Sequence, residues 1–253
     1  MAPEARKRLK ASSRKAQPAG AVANNYGMRE RIFLVSVKLF AEKGFNGTAV
    51  RDLARALGIE VASLYYHFPS KQDLLFALLE RIMDDLLEAL RVAMQEAAGP
   101  TERLCRVMRS HVLFHVLKRK DALVSHSELR SLTPANRRLI IAKRDRYEMA
   151  IRSLLEEGVA AGDFHIGDVR LTGIALLAMC SGVSDWIKPR GRLHDNEVAE
   201  LYSDMALQLV GAQARREEPA NRAIRGGATR ASRSVKERAP QSAAPLHFDR
   251  AAR

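Results

Sequence analysis

The chain has 253 residues, enough for one or two domains with a proper core, and its small aromatic share of 6% within an Ala-, Leu-, Arg- and Glu-rich composition favours helix. A formal charge of +13 points to a polyanionic partner, nucleic acid before an acidic membrane surface. The longest apolar stretch, residues 171–187, is broken by Thr172, Gly173, Ser181, Gly182, Ser184 and Asp185, so no membrane span and no membrane partner are expected.

The charge is unevenly placed. Residues 1–27 hold six basic and one acidic side chain, and residues 213–253 hold ten and four, leaving only +2 between them. Solvated basic tails hold nucleic acid loosely through counterion release, so net charge alone argues little for a specific DNA-binding fold. Both tails lack apolar periodicity and are expected to be disordered, a basic arm and a basic tail flanking a folded middle. No apolar run follows the cluster from Arg6 to Lys15, which excludes a secretory signal. Cys105 and Cys180 lie far apart in apolar segments, without metal or disulfide spacing, so a reducing cytoplasm is expected.

Between the tails apolar residues recur at helical spacing and no strand pattern or internal repeat is found, which predicts an all-α fold of about nine helices. A first helix over 28–43 carries Ile32, Val35, Leu39 and Phe40 on one face and stops at Gly44. Thr48 is the expected N-cap of a helix through Leu57, with Asp52 in its early turns and Gly58 as its left-handed exit. A second short helix covers about 61–68, ended by Pro69, and Ser70 with Asp73 opens a long helix to about residue 97. Further helices are expected over about 101–120, from Thr133 and Pro134 to about 161 with Gly158 and Gly162 ending it, from Asp168 to about 186, and over about 195–210.

Two short helices joined by a glycine turn pack at a steep angle that leaves the second free to enter a major groove; Leu53, Ala54, Leu57, Ile59 and Leu64 would hold that angle. The run Leu64-Tyr-Tyr-His-Phe-Pro-Ser-Lys-Gln-Asp-Leu74 after such a turn resembles the TetR family of bacterial regulators, over about residues 28–79. The resemblance implies a helix-turn-helix domain over 28–72 and a helical ligand-binding and dimerisation domain over 73–212. It also implies a homodimer on a palindromic double-stranded operator, with two reading helices about one DNA turn apart.

Carried onto this chain, the family's base-reading positions are Arg51, Glu60, Val61, Ala62 and Ser63, and its phosphate positions are Thr48, Tyr65, Tyr66, His67 and Lys71. Arg51 suits guanine, Ser63 several bases, and Val61 or Ala62 a thymine methyl. Family members often have Lys or Gly where Val61 and Ala62 stand, so this operator is expected to differ. Lys71 has its own argument: a cation in the first turn of a helix opposes the macrodipole unless an anion sits there, and a phosphate would supply one.

In the second half, Glu128-Leu-Arg-Ser-Leu-Thr-Pro, Arg144-Asp-Arg-Tyr-Glu and Ser184-Asp-Trp-Ile-Lys-Pro-Arg-Gly-Arg-Leu look like TetR regulators of fatty-acid, steroid or other acyl-coenzyme A catabolism. His111, Phe114, His115, Tyr147, Met149 and Met179, with Trp186, lie on apolar helices that suit an elongated hydrophobic effector such as an acyl-coenzyme A ester. Arg190 and Arg192 are candidates for its phosphorylated end. His111 and His115 are four residues apart, but no third ligand accompanies them, so neither a metal nor a cofactor is expected. Leu171, Ile174, Leu177, Ala178, Val198, Leu201, Met205 and Leu209 suit a four-helix interface with a second copy. No phosphate loop, nucleophile elbow or paired carboxylate argues for an enzyme. The competing readings are a sequence-nonspecific architectural DNA binder and a ligand-free dimerisation module.

Overall fold

The computed structural model describes residues 27–95, 99–188 and 191–212. The basic arm and tail expected over 1–27 and 213–253 therefore lie outside the described residues, Gly27 apart, as does Arg190.

All regular structure among the described residues is helical: α1 (Met28–Lys43), α2 (Val50–Leu57), α3 (Val61–His67), α4 (Lys71–Gln95), α5 (Pro100–Leu117), α6 (Arg119–Ser127), a 3-10 turn (Glu128–Ser131), α7 (Pro134–Ala160), α8 (Val169–Ser181), α9 (Val183–Trp186) and α10 (Asp195–Leu209). Local chemistry sets many of these ends. Gly58 adopts φ 67° and ψ 36°, a left-handed exit that places α3 across α2. Ser70 Oγ accepts from the Asp73 backbone N–H at 3.1 Å and donates to the Asp73 carboxylate at 2.7 Å, opening α4 as expected. Thr133 caps α7 and Asp168 caps α8, through bonds from Asn136 N (3.3 Å) and Leu171 N (2.9 Å).

Four expectations are corrected. Thr48 does not cap α2: its hydroxyl donates to Gly44 O at 2.8 Å, while Asp52 accepts from the Ala49 N–H at 3.2 Å. Gly158 does not end α7 but lies inside it, where a Cβ would stand 2.0 Å from the Phe164 ring; its role is close packing. The single helix expected from Asp168 to about 186 is two, α8 and α9, divided at Gly182. Residues 119–127, only the first two of which were expected in a helix, form α6.

The core runs along one face of α4, where Leu74, Leu75, Leu78, Leu79, Ile82, Leu86 and Leu90 are buried. α5 is the central element, packed against α4, α7, α8 and α10. The first three helices join this body through α1, which packs on α6, and through α4, which continues from the end of α3. Arg81 pairs with Glu30 at 2.6 Å and Gln72 Nε2 donates to Ser131 O at 2.8 Å across the same junction.

Candidate DNA interface and ligand cavity

The helix-turn-helix core is built as its sequence suggests: Leu53, Ala54, Leu57 and Leu64 are buried, and Ile59 packs partly buried against them. The Phe33 and Phe68 rings meet at a tilt of 52°, their centres 5.4 Å apart, and Arg29 lies 4.5 Å over Phe68. Helical spacing in the sequence points to Ile32, Val35, Leu39 and Phe40 as the inner face of α1, whereas Phe33 and Val37 also turn inward and Val35 and Leu39 are only partly buried.

What this core leaves outside is informative. Arg51, Glu60, Ala62, Tyr65 and Tyr66 are exposed, while Val61, Ser63 and His67 are half-buried. Tyr66 is 86% exposed, a large ring held in solvent against the hydrophobic effect, its centre 5.3 Å from that of His67. Arg55 leans to Asp52 at 3.6 Å, and Arg51 makes no hydrogen bond or ion pair among the described residues.

Two of the phosphate candidates sit differently. Thr48 is 0% exposed with its hydroxyl committed to Gly44, so it holds the α1–α2 turn rather than facing outward. Lys71 donates to Phe45 O at 2.9 Å and to Thr48 O at 3.0 Å, and lies 4.1 Å from the Phe45 ring centre. Two carbonyls and a ring face thus offset the unfavourable dipole of α4 without an anion, leaving one of its three donors free.

In the body, α4, α5, α6, α7 and α8 line a half-open cavity of about 200 Å³. His111, Phe114, His115 and Tyr147 line it, together with Ile82, Met83 and Leu86 of α4. Met149 and Trp186 are outside it, half exposed, because each falls on the outward face of its helix; Trp186 stacks on Tyr202 at 6.4 Å. Met179 packs partly buried against the core without lining the cavity. Residues missed in the sequence, Ser125, His126, Arg144, Glu148 and Ser181, add polar groups to the wall, and Ala122 and Leu177 complete it. Arg144 belongs to the Arg144-Asp-Arg-Tyr-Glu segment and stands three residues before Tyr147, a helical spacing that puts both on one face.

The cavity's polar groups are tightly organised. His111 Nδ1 meets the Tyr147 hydroxyl at 2.8 Å and His111 Nε2 meets Ser181 Oγ at 3.0 Å. His115 Nδ1 is 2.9 Å from the His111 carbonyl, which can only accept, so His115 carries its proton on Nδ1. The two rings stack at 4.3 Å. Burial, reinforced by the neighbouring His115 and His126, holds His111 well below the ordinary imidazole range, and burial pulls His115 down to about 4 against the favourable bond to His111. Burial likewise raises the Tyr147 phenol. No cluster of three or more His, Cys, Asp or Glu side chains suited to a metal is present among the described residues.

A helix-turn-helix head, with an exposed second helix, set on an α-helical body with an internal cavity defines a two-part helical DNA-binding regulator. Residues 32–78 match the model for bacterial regulatory proteins of the tetR family, and residues 97–210 match the tetracyclin repressor-like C-terminal domain. The chain is 37% identical to the TetR family transcriptional regulator PfmR of Thermus thermophilus, over 73% of this chain and 100% of that one, with a TM-score of 0.66. It is 28% identical to the HTH-type transcriptional repressor KstR2 of Mycolicibacterium smegmatis, covering 72% of this chain and 89% of the relative. It also resembles AibR, solved in complex with isovaleryl coenzyme A and operator DNA, at 27% identity, with 71% and 97% of the two chains covered and a TM-score of 0.66. The chain belongs to the TetR family of transcriptional regulators.

Proposed function

We infer that the protein is a ligand-responsive repressor: residues 28–72 grip a palindromic operator, residues 73–212 sense an effector and dimerise, and the basic flanks 1–27 and 213–253 add nonspecific affinity. Arg51, Glu60, Val61, Ala62 and Ser63 read bases, while Tyr65, Tyr66, His67 and the free donor of Lys71 hold phosphates. The effector is hydrophobic, with acyl-coenzyme A esters the first class to test, since AibR is a relative that binds one. Two copies join through the exposed apolar residues of α8 and α10, Leu171, Ile174, Leu201, Met205 and Leu209. The site of action is the cytoplasm, and the protein performs no catalysis.

The observation that carries this reading is that one helix serves both ends. α4 starts four residues after α3 and, three turns on, supplies Ile82, Met83 and Leu86 to the cavity wall. α6 reaches from the same wall to the junction with α1. A ligand that fits the cavity better in one tilt of α4 than in another changes the spacing of the paired reading helices, and only that differential affinity releases DNA. The test is selection of bound genomic fragments by the purified protein at roughly 0.15 M salt, with and without acyl-coenzyme A esters. A short palindrome lost on adding an ester supports the repressor; sequence-flat binding, unaffected by ligand, supports an architectural DNA binder instead.

A further inference from the structure

Arg144 lies in the cavity wall with no ion pair among the described residues. Its neighbour Lys143 meets Glu80 at 3.2 Å and Asp84 at 2.5 Å. Arg144 instead turns into the cavity wall, half-buried, and donates only to neutral acceptors: Ser125 O at 2.8 Å and, at 3.4 Å, Ser125 Oγ. No carboxylate stands within 4 Å of it among the described residues; Glu148 shares the wall but forms no ion pair with it. Asp185, on α9, acts on His126 rather than on Arg144.

A guanidinium does not escape this cost by losing its proton, so its burial is offset only by an anion or by neutral dipoles. Glu148, the carboxylate that shares the wall, makes no ion pair with Arg144, and the other titratable groups of the wall supply no anion. His111 and His115 are held neutral, Tyr147 is held protonated, and His126 is pushed down by burial and by Arg144 itself. Ile82, Met83, Leu86, Phe114, Ala122 and Leu177 give the wall its apolar part. At about 200 Å³ the space also lies below the roughly 300–1,000 Å³ of sites that enclose a drug-sized ligand.

We propose that the cavity recognises a compact apolar acid, the size of a single ring or a short chain, whose carboxylate is held by the planar fork of Arg144 while its body lies against Leu86, Phe114 and Leu177. This rests on the cavity being the effector site and narrows the effector from hydrophobic molecules in general to small free carboxylates.

The test is calorimetric titration of the full-length protein with benzoate, cyclohexanecarboxylate and hexanoate, each beside its neutral amide, and with hexanoyl-coenzyme A. At least one acid is expected to bind ten or more times more tightly than its amide. Arg144→Gln, checked by melting to be folded, is expected to lose that preference and bind acid and amide alike, while Arg144→Lys keeps part of it. Equal binding of acids and amides by the native protein, no binding of any acid at millimolar concentration, or binding of the thioester alone overturns the proposal, and these outcomes do not depend on any variant folding. An acid that binds through Arg144 without releasing operator DNA upholds the anion site and refutes the effector role. Release by hexanoyl-coenzyme A alone does the reverse.

Discussion

Arg51 and Lys71 are both cations beside the reading helix, yet their surroundings give them different work. Arg51 is exposed and unpaired among the described residues, whereas Lys71 spends two donors on Phe45 and Thr48 carbonyls. Arg51→Ala is expected to relax base preference at one operator position, costing about 1–3 kcal/mol there, with no change in melting temperature. Lys71→Ala is expected to weaken all sequences alike and also to lower stability by about 1 kcal/mol through the lost bonds. Uniform loss from both changes would refute the base-reading role of Arg51.

Through its burial, His115 is expected to make the protein acid-sensitive. Its folded value of about 4 lies below the ordinary 6.5, so between the two the unfolded chain takes up a proton that the folded chain refuses. His111 acts in the same direction. Stability is therefore expected to fall as pH drops from about 6.5 toward 4, more in the native protein than in His115→Gln; thermal melting across that range reads it, and a flat profile contradicts the buried neutral pair.

Among the elements, α7 offers the sharpest test of packing. A Cβ at Gly158 would meet the Phe164 ring at 2.0 Å, so Gly158→Ala is expected to destabilise by about 1–3 kcal/mol despite its better helix propensity. Phe164→Leu in the same chain should recover part of the loss in denaturant melts. Element boundaries were legible where a residue type carries a mechanism: Gly58, Ser70 with Asp73, Thr133 and Asp168 each do what their chemistry dictates. They were illegible where tertiary contact decides. The break before α6 falls at Lys118, at φ −106° and ψ 40°, with no Gly, Pro or capping side chain to announce it. Thr48 shows the opposite failure, a good capping residue drawn into the turn by the Gly44 carbonyl.

For the whole molecule, the exposed stripe of Leu171, Ile174, Leu201, Met205 and Leu209 is the proposed seam between two copies; of the residues the sequence assigns to that seam, Val198 is buried in the core and Leu177 lines the cavity instead. Leu201→Glu with Met205→Glu is predicted to turn a dimer into a monomer in sedimentation at micromolar concentration and to weaken operator binding at least tenfold. Retention of the dimer moves the interface elsewhere. Helical class and reading head were legible in the chain because both rest on local signals, periodicity and a compact motif. The cavity was only half legible: His111, Phe114, His115 and Tyr147 reach it, but which face of each helix turns inward is set by neighbours distant in sequence, and this excluded Met149 and Trp186 and brought in Arg144.

The central claim is that filling the cavity and gripping DNA are coupled through α4. The most direct test is the dissociation constant for a selected operator fragment, measured at fixed salt with and without saturating effector, beside the effector's own constant with and without operator. The account predicts that each ligand weakens the other by the same factor, at least tenfold. Unchanged operator affinity with the cavity occupied would contradict it.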